Sequence, residues 1–187
     1  ASLKDFIALA KKRPGEILFG SPGNGSNNQL GAEMLNIVAG IKTLHVPYKG
    51  AGPAITDLLA GHLQFMFTTI PPALPQVKAG RLRALAVASA KRSTLLPELP
   101  TTAEQGARGV EAASWNGILL PAGAPREIVT RLHAEIGVVM KQPEVIERLA
   151  GAGVEPAMMS PEEFAAYIES ETARYAKVVK SSGARLD

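Results

Sequence analysis

The segment Gly20–Ser26 is the first place in the sequence where chemical groups suit anion binding. It consists of small residues and ends in Gly25 and Ser26, directly before a predicted helix. The first amides of a helix have no partner within it, and the helix dipole favours negative charge there. The segment therefore suits a carboxylate or a phosphate. Taken alone, it favours a tight turn in which Ser26 only caps the helix.

Nucleotide binding is poorly matched by this loop. A phosphate loop of the Walker type needs Gly-Lys-Ser/Thr entering the helix, whereas Asn27 and Asn28 follow Ser26. A dinucleotide fingerprint needs a small residue at the place taken by Asn28. We expect neither nucleotide hydrolysis nor a Rossmann cofactor.

A second candidate loop contains Tyr48, Lys49 and Gly50. It also follows a predicted strand and precedes a predicted helix, and Thr68 follows the third strand. Singly, these residues suit edge packing, a solvated charge and helix capping. A parallel sheet brings all of them to the edge where Ser26 lies, and ligands of such sheets bind at that edge. The joint placement favours a binding site.

Catalytic and metal-binding patterns are weak in this sequence. The three histidines, His45, His62 and His133, fall on different predicted elements without metal-ligand spacing. No Gly-x-Ser-x-Gly elbow surrounds a serine, and cysteine is absent. We therefore predict no catalytic residues, no metal and no cofactor, and interpret the protein as a non-enzyme.

The elements that must position these loops alternate between strand and helix. This alternation predicts an α/β fold, a parallel sheet with helices on both faces. The helices are predicted after Ser2, from Leu30 through Val38, from Pro53 through Leu59 and over Pro71–Ala79. The strands are predicted at Ile17–Phe19, Thr43–Val46, Leu63–Phe67 and Leu82–Ala88.

The remainder of the chain is predicted to be mainly helical. Thr101 or Thr102 with Glu104 suggests a helix start, and Val110–Leu120 reads as strand running into the breaker Pro121–Pro125. Helices follow over Arg126–Lys141, from Pro143, and from Ser160, whose spacing to Glu163 is that of a capping box. These helices need a partner surface for apolar residues such as Leu132, Ile136 and Phe164, and a homodimer through them is one expectation.

Charge and hydropathy argue against a nucleic-acid-binding protein and against a membrane-spanning one. The net charge is only +3, and Lys11–Arg13 complements a helix C-terminus, so we predict no nucleic-acid partner. No apolar run reaches the roughly 18 residues of a membrane span. Residues 1–13 do not have the pattern of a signal peptide.

Several ordered motifs resemble one family of receptors. The chain is similar, over essentially its whole length, to Bug-type tripartite tricarboxylate transporter receptors. The motifs that carry the resemblance are Gly20–Ser26, His45–Gly50, Asp57–Gly61, Ala79–Val87, Pro100–Glu104, Ser114–Gly117, Pro121–Gly123 and Ser160–Phe164.

The resemblance implies a type II periplasmic binding protein. Such a receptor is periplasmic and two-lobed, and it delivers a small carboxylate to membrane permease subunits. It further implies that residues 1–114 form the second lobe and that residues 115–187, a hinge strand and a helical segment, return to the first. Most of the first lobe and the signal peptide of the family have no counterpart here, so we expect a fragment or a truncated product.

The resemblance also maps ligand-binding residues. We expect Ser26 and the amides after it to hold the carboxylate, and Gln29 stands where we expect histidine in the family. The alternatives are a sensing receptor for a membrane signalling kinase and a small anion-binding enzyme. The positions that match the family's ligand loops are Ser21, Gly25, Ser26, Tyr48, Lys49, Gly50 and Thr68.

Overall fold

The chain folds into two compact units in a computed structural model that describes residues 2–184. The first unit holds residues 2–114 together with the described residues from Tyr175 onward, and the second holds Trp115–Arg174. The last helix begins in the second unit and ends in the first. The C-terminal end of this helix packs with the residues before 115, and the predicted division into lobes stays a prediction.

The first unit is built around a parallel sheet of three strands. The strand order is β2-β1-β3, and Gly20 in the central strand is paired with Val46 on one side and Met66 on the other. The predicted α/β fold with a parallel sheet is confirmed. The elements are α1 (Leu3–Lys12), β1 (Leu18–Ser21), α2 (Asn27–Ala39), β2 (Leu44–Pro47), α3 (Ala51–Leu59), β3 (Phe65–Met66) and α4 (Ile70–Lys78).

Local sequence explains the helix boundaries. Ser2 and Asp5 form a capping box at the start of α1, and Gly40, with φ of 60°, ends α2 in the left-handed region that glycine favours. Of the residues predicted to form the inner face of α2, Leu30 and Leu35 are buried whereas Val38 is 44% exposed. The inner face of α2 therefore ends one turn earlier than its spacing predicts.

The hydrophobic core of the first unit lies between α1, α2 and the sheet. Phe19 of the central strand is fully buried, as expected for a strand flanked on both sides. Val178 near the end of α7 (Pro161–Ser182) joins this core. The core cluster consists of Leu3, Ala10, Ile17, Leu30, Met34, Leu35, Ile41, Ala107, Val110 and Val178.

Three predicted elements are wrong. Leu82–Ala88 is not a strand, because only Val87 bridges to Thr101, and prolines near that partner segment limit a ladder. Thr101 and Glu104 exchange both hydrogen bonds of a capping box, but turns follow instead of a helix. Val110–Leu120 forms no strand, since no described segment pairs with it along its length.

The second unit contains helices α5 (Arg126–Val139) and α6 (Pro143–Gly151) and the start of α7. The predicted capping box is confirmed, with Ser160 N–H donating to the Glu163 carboxylate at 2.8 Å. Trp115 packs edge-on against Phe164, and many apolar side chains are exposed, Leu119 by 73%. None of the described helices is long and apolar enough to cross a membrane.

Candidate functional site

The loops after β1 and β2 are tied together at the carboxyl edge of the sheet. Tyr48 N–H donates to Ser21 O at 3.0 Å, and Gly50 N–H donates to Pro22 O at 2.9 Å. The predicted site residues of these two loops therefore share one edge. The structure brings them together through backbone bonds rather than through their side chains.

The N-terminus of α2 presents open amides at this edge. The Ser26 hydroxyl accepts from Gln29 N–H at 3.3 Å and donates to Gly23 O at 2.7 Å, so it works as the helix cap. The amides of Asn27 and Asn28 have no hydrogen-bond partner among the described residues. These amides, rather than the Ser26 hydroxyl, are the donors left for an anion.

The Gly25 amide is already used. It donates to the side-chain oxygen of Gln29 at 2.7 Å, and Gln29 is only 6% exposed. Gly25 also has a φ of 73°, a conformation that favours glycine. The bond from the Gly25 amide fixes the loop on its own helix, and ligand binding by Gly25 stays a prediction.

Ser21 and His45 form a close polar pair beneath the loop. Ser21 Oγ lies 2.6 Å from His45 Nε2 and 2.9 Å from Gly23 O, and it accepts from Gly23 N–H. All three contacts are satisfied when the hydroxyl donates to Gly23 O and His45 donates through Nε2. Ser21 is fully buried, so its role is to hold the loop rather than to touch a ligand.

His45 makes the stability of this unit depend on pH. Burial lowers the pKa of the His45 imidazole, because a buried site disfavours the charged ring. As the pH falls, His45 therefore becomes protonated in the unfolded chain before it does so in the folded protein. We expect His45 to contribute stability above its usual pKa near 6.5 and to lose it as the pH falls through the folded pKa.

Unfolding free energies of the protein and of His45→Gln, measured between pH 8 and 5, check this expectation. Glutamine keeps a donor near the Nε2 position but does not titrate. As the pH falls, we expect the free energy of unfolding of the parent protein to decrease relative to that of His45→Gln. A difference that stays constant with pH would contradict the account of His45.

Tyr48 is turned toward helix α3. Its hydroxyl donates to Asp57 Oδ2 at 2.6 Å, and His62 Nδ1 lies 3.4 Å from the other oxygen of this carboxylate. The hydrogen bond to Asp57 raises the pKa of Tyr48, and the bonds from Tyr48 and His62 lower the pKa of Asp57. The Tyr48 hydroxyl is thereby committed to fixing its loop, while Lys49 is exposed and Gly50 caps α3 without a side chain.

Thr68 brings an unsatisfied hydroxyl to the end of the third strand. Its Oγ1 is buried and has no hydrogen-bond partner among the described residues. The preceding carbonyl, Phe67 O, accepts from Asn28 Nδ2 at 2.8 Å, which ties this strand end to the first turn of α2. A buried polar atom without a partner is unfavourable unless a ligand or water completes it.

The electrostatics of this edge favour an anion. Helices α2, α3 and α4 follow the three strands, and none of them has an acidic residue in its first turn. The other four described helices all carry one there. An acidic side chain in the first turn normally compensates the helix dipole. Three uncompensated helix N-termini therefore point to one edge.

Catalytic chemistry has little support at this edge. The pair of Ser21 and His45 has the distance of a nucleophile and a base, but Ser21 is buried and no described carboxylate contacts His45 Nδ1. Among residues 2–184, no cluster of three metal-ligating side chains is present.

Sequence reasoning missed several residues of this edge. Asn28, Gln29, His45 and Asp57 all fix the loops through side-chain bonds. The sequence pointed to Gln29 through its departure from the family and to His45 and Asp57 through the motifs that they open, but to no loop contact for any of the four. The partners of Asn28, His45 and Asp57 lie on other strands or loops, 39, 24 and 9 residues away, so spacing alone does not reveal them. Gln29 is different, because its partner Gly25 lies only four residues earlier.

An α/β unit whose strand ends favour an anion is typical of solute-binding proteins, although other classes share it. The model of the tripartite tricarboxylate transporter family receptor, TctC, matches residues 1–184. The chain belongs to this family of solute-binding receptors.

Its relatives include proteins with known ligands. Protein BugT of Bordetella pertussis is 36% identical over 185 residues, which are 99% of this chain and 57% of that protein. The structure of R. palustris Rpa4515 with adipate has 37% identity and a TM-score of 0.84, covering 98% of this chain and 61% of that one. MatC from Rhodopseudomonas palustris with bound malate has 28% identity and a TM-score of 0.77, with 95% and 62% covered. The chain spans little more than half the length of BugT.

Proposed function

We propose that the chain is the carboxylate-binding part of a periplasmic receptor that delivers its ligand to membrane permease subunits. The observation that supports this most directly is the edge formed by α2, α3 and α4, whose first turns contain no acid. An incoming carboxylate supplies the negative charge that these helix N-termini lack.

The ligand contacts that we propose centre on α2. The amides of Asn27 and Asn28 donate to one carboxylate, and the buried Thr68 hydroxyl completes its hydrogen bonding at the same edge. Charge-assisted hydrogen bonds contribute about 1.5–3 kcal/mol each. Ser21, Gly25, Ser26, Tyr48 and Gly50 act indirectly by holding the two loops, and Lys49 adds positive charge nearby.

The ligand class is that of small carboxylates. Adipate and malate, the ligands of the two solved relatives, are both dicarboxylates. A second ligand carboxylate needs its own donors, and we propose that those lie outside residues 2–114. Loss of translational and rotational freedom opposes binding by about 4 kcal/mol or more, so we expect millimolar affinity for this chain alone.

The apolar surface of the second unit fits a role in a larger lobe. Ile118 and Leu119 are more than two-thirds exposed, and Leu132 is 41% exposed. Where large exposed apolar side chains lie together, they mark surfaces that another segment or chain covers. Dimerisation through this surface stays a prediction, and the molar mass in solution tests it.

A thermal-shift screen tests the proposed function. At ten times its dissociation constant, a ligand adds about 1.4 kcal/mol to the stability of the folded protein. We expect dicarboxylates to raise the melting temperature more than sodium chloride of equal ionic strength. Equal responses to chloride and to every acid would contradict carboxylate binding, and conversion of an acid would favour the enzyme alternative.

A further inference from the structure

The side chain of Asn27 contacts both segments through which the chain leaves and re-enters the first unit. Its Nδ2 donates to Ala112 O at 3.0 Å and to Ser114 Oγ at 3.2 Å. Its Oδ1 accepts a hydrogen bond from the Tyr175 hydroxyl. Ser114 is the last residue of the unit before the chain passes on, and Tyr175 is the first after it returns.

The backbone of the same residue lies in the candidate ligand site. Asn27 is the first residue of α2, and its amide is one of the two open donors at the helix N-terminus. We call the segments around residues 112–114 and Tyr175 the crossing segments. A ligand bound to the Asn27 amide would therefore contact the same residue that holds both crossing segments. The side-chain bonds are long-range, 85 to 148 residues apart in sequence, so they join the start of α2 to both segments.

We propose that Asn27 is a positioning residue that couples ligand occupation at α2 to both crossing segments, an inference that rests on the proposed function. One amide side chain serves the two segments, so a change at one reaches the other through the orientation of Asn27. Tyr175→Phe frees Oδ1 and lets the amide turn, which loosens the bonds to Ala112 and Ser114. If Asn27 held the two segments independently, a change at one segment would not affect the other.

Hydrogen exchange of the ligand-free chain tests the coupling by a double-mutant cycle. We expect Tyr175→Phe to speed amide exchange of residues 111–114 by about three- to tenfold, the equivalent of one hydrogen bond. In an Asn27→Ala background the same substitution should have no further effect on these amides. Additive effects of the two substitutions, or no effect of Tyr175→Phe on residues 111–114, would overturn the coupling.

Asn27→Asp is a matched variant for the same measurement. Aspartate suits the first turn of a helix and keeps an acceptor for Tyr175, but it has no donor for Ala112 and Ser114. Exchange should therefore rise at residues 111–114 and stay slow near Tyr175. A uniform rise over the whole unit would indicate general destabilisation and count against the proposal.

Adipate serves as the probe for the ligand arm. In the parent chain, adipate should slow hydrogen exchange at residues 111–114 and at 175–178. In Asn27→Ala this slowing should be lost, even at adipate concentrations that saturate the change in the NMR chemical shift of the Asn28 amide. Saturation without slowing in the parent chain would overturn the inference. If the proposed function is wrong, adipate will not change the chemical shift of the Asn28 amide at all. In that case the double-mutant cycle on the ligand-free chain still tests the coupling.

Discussion

Ser26→Asp is expected to weaken carboxylate binding by at least tenfold while leaving the fold intact. Aspartate and serine are equally good N-caps, so the first turn of α2 keeps its side-chain acceptor and loses only the donation from position 26 to Gly23 O. The new carboxylate, however, occupies the electrostatic position that we assign to the ligand. Two like charges about 4 Å apart repel by about 4 kcal/mol at an effective dielectric constant of 20, and salt reduces this value.

The control for this substitution is Ser26→Asn. Asparagine also caps well but carries no charge, so we expect affinity within a few-fold of the parent protein. Titrations with adipate and malate, followed by amide shifts or calorimetry, compare the three proteins at one ionic strength. Equal affinities for the aspartate and asparagine variants would place the anion somewhere other than the N-terminus of α2.

Gly31→Ala is expected to lower the free energy of unfolding by about 1–3 kcal/mol, the usual range for overpacking. A methyl group at Gly31 would lie 2.8 Å from both the Ala112 Cβ and the Phe67 ring. Ala112 Cβ is attached directly to the backbone and has no rotamer with which to move away. This steric effect opposes the gain of about 1 kcal/mol that alanine normally brings to a helix.

Gly52→Ala in α3 provides the comparison for Gly31. A methyl group there has no neighbour within 4 Å, so only the helix preference remains and stability should rise or stay unchanged. Urea unfolding of both variants measures the difference. Stabilisation by Gly31→Ala equal to that by Gly52→Ala would show that α2 is not packed closely against Phe67 and Ala112.

The strands and helices of the first unit were predictable because their signals are local. Leu30 and Met34 share a helix face by their i, i+4 spacing, and Pro53 lies in the first turn of α3. Strand formation at Leu82–Ala88 and Val110–Leu120 instead depends on a partner strand, which no pattern within the segment reveals. Apolar sequence there predicted strands that the fold does not pair.

The candidate site was predictable in position but not in its contacts. The parallel topology placed Ser26, Tyr48 and Thr68 at one edge, yet the Tyr48 hydroxyl turns to Asp57 on the next helix. The contact of Asn27 with Tyr175 joins residues far apart in the chain. Such pairings arise only when the elements pack, so the sequence contains the groups without showing which of them meet.

Titration of the isotope-labelled chain with adipate, followed by amide shifts, tests carboxylate binding at this edge most directly. Millimolar affinity is sufficient for this measurement. We expect the largest chemical-shift changes at the amides of Asn27 and Asn28 and next to Thr68, and smaller changes in Ser26→Asp. Shifts confined to residues away from the strand ends, or the absence of saturable shifts with any dicarboxylate, would contradict it.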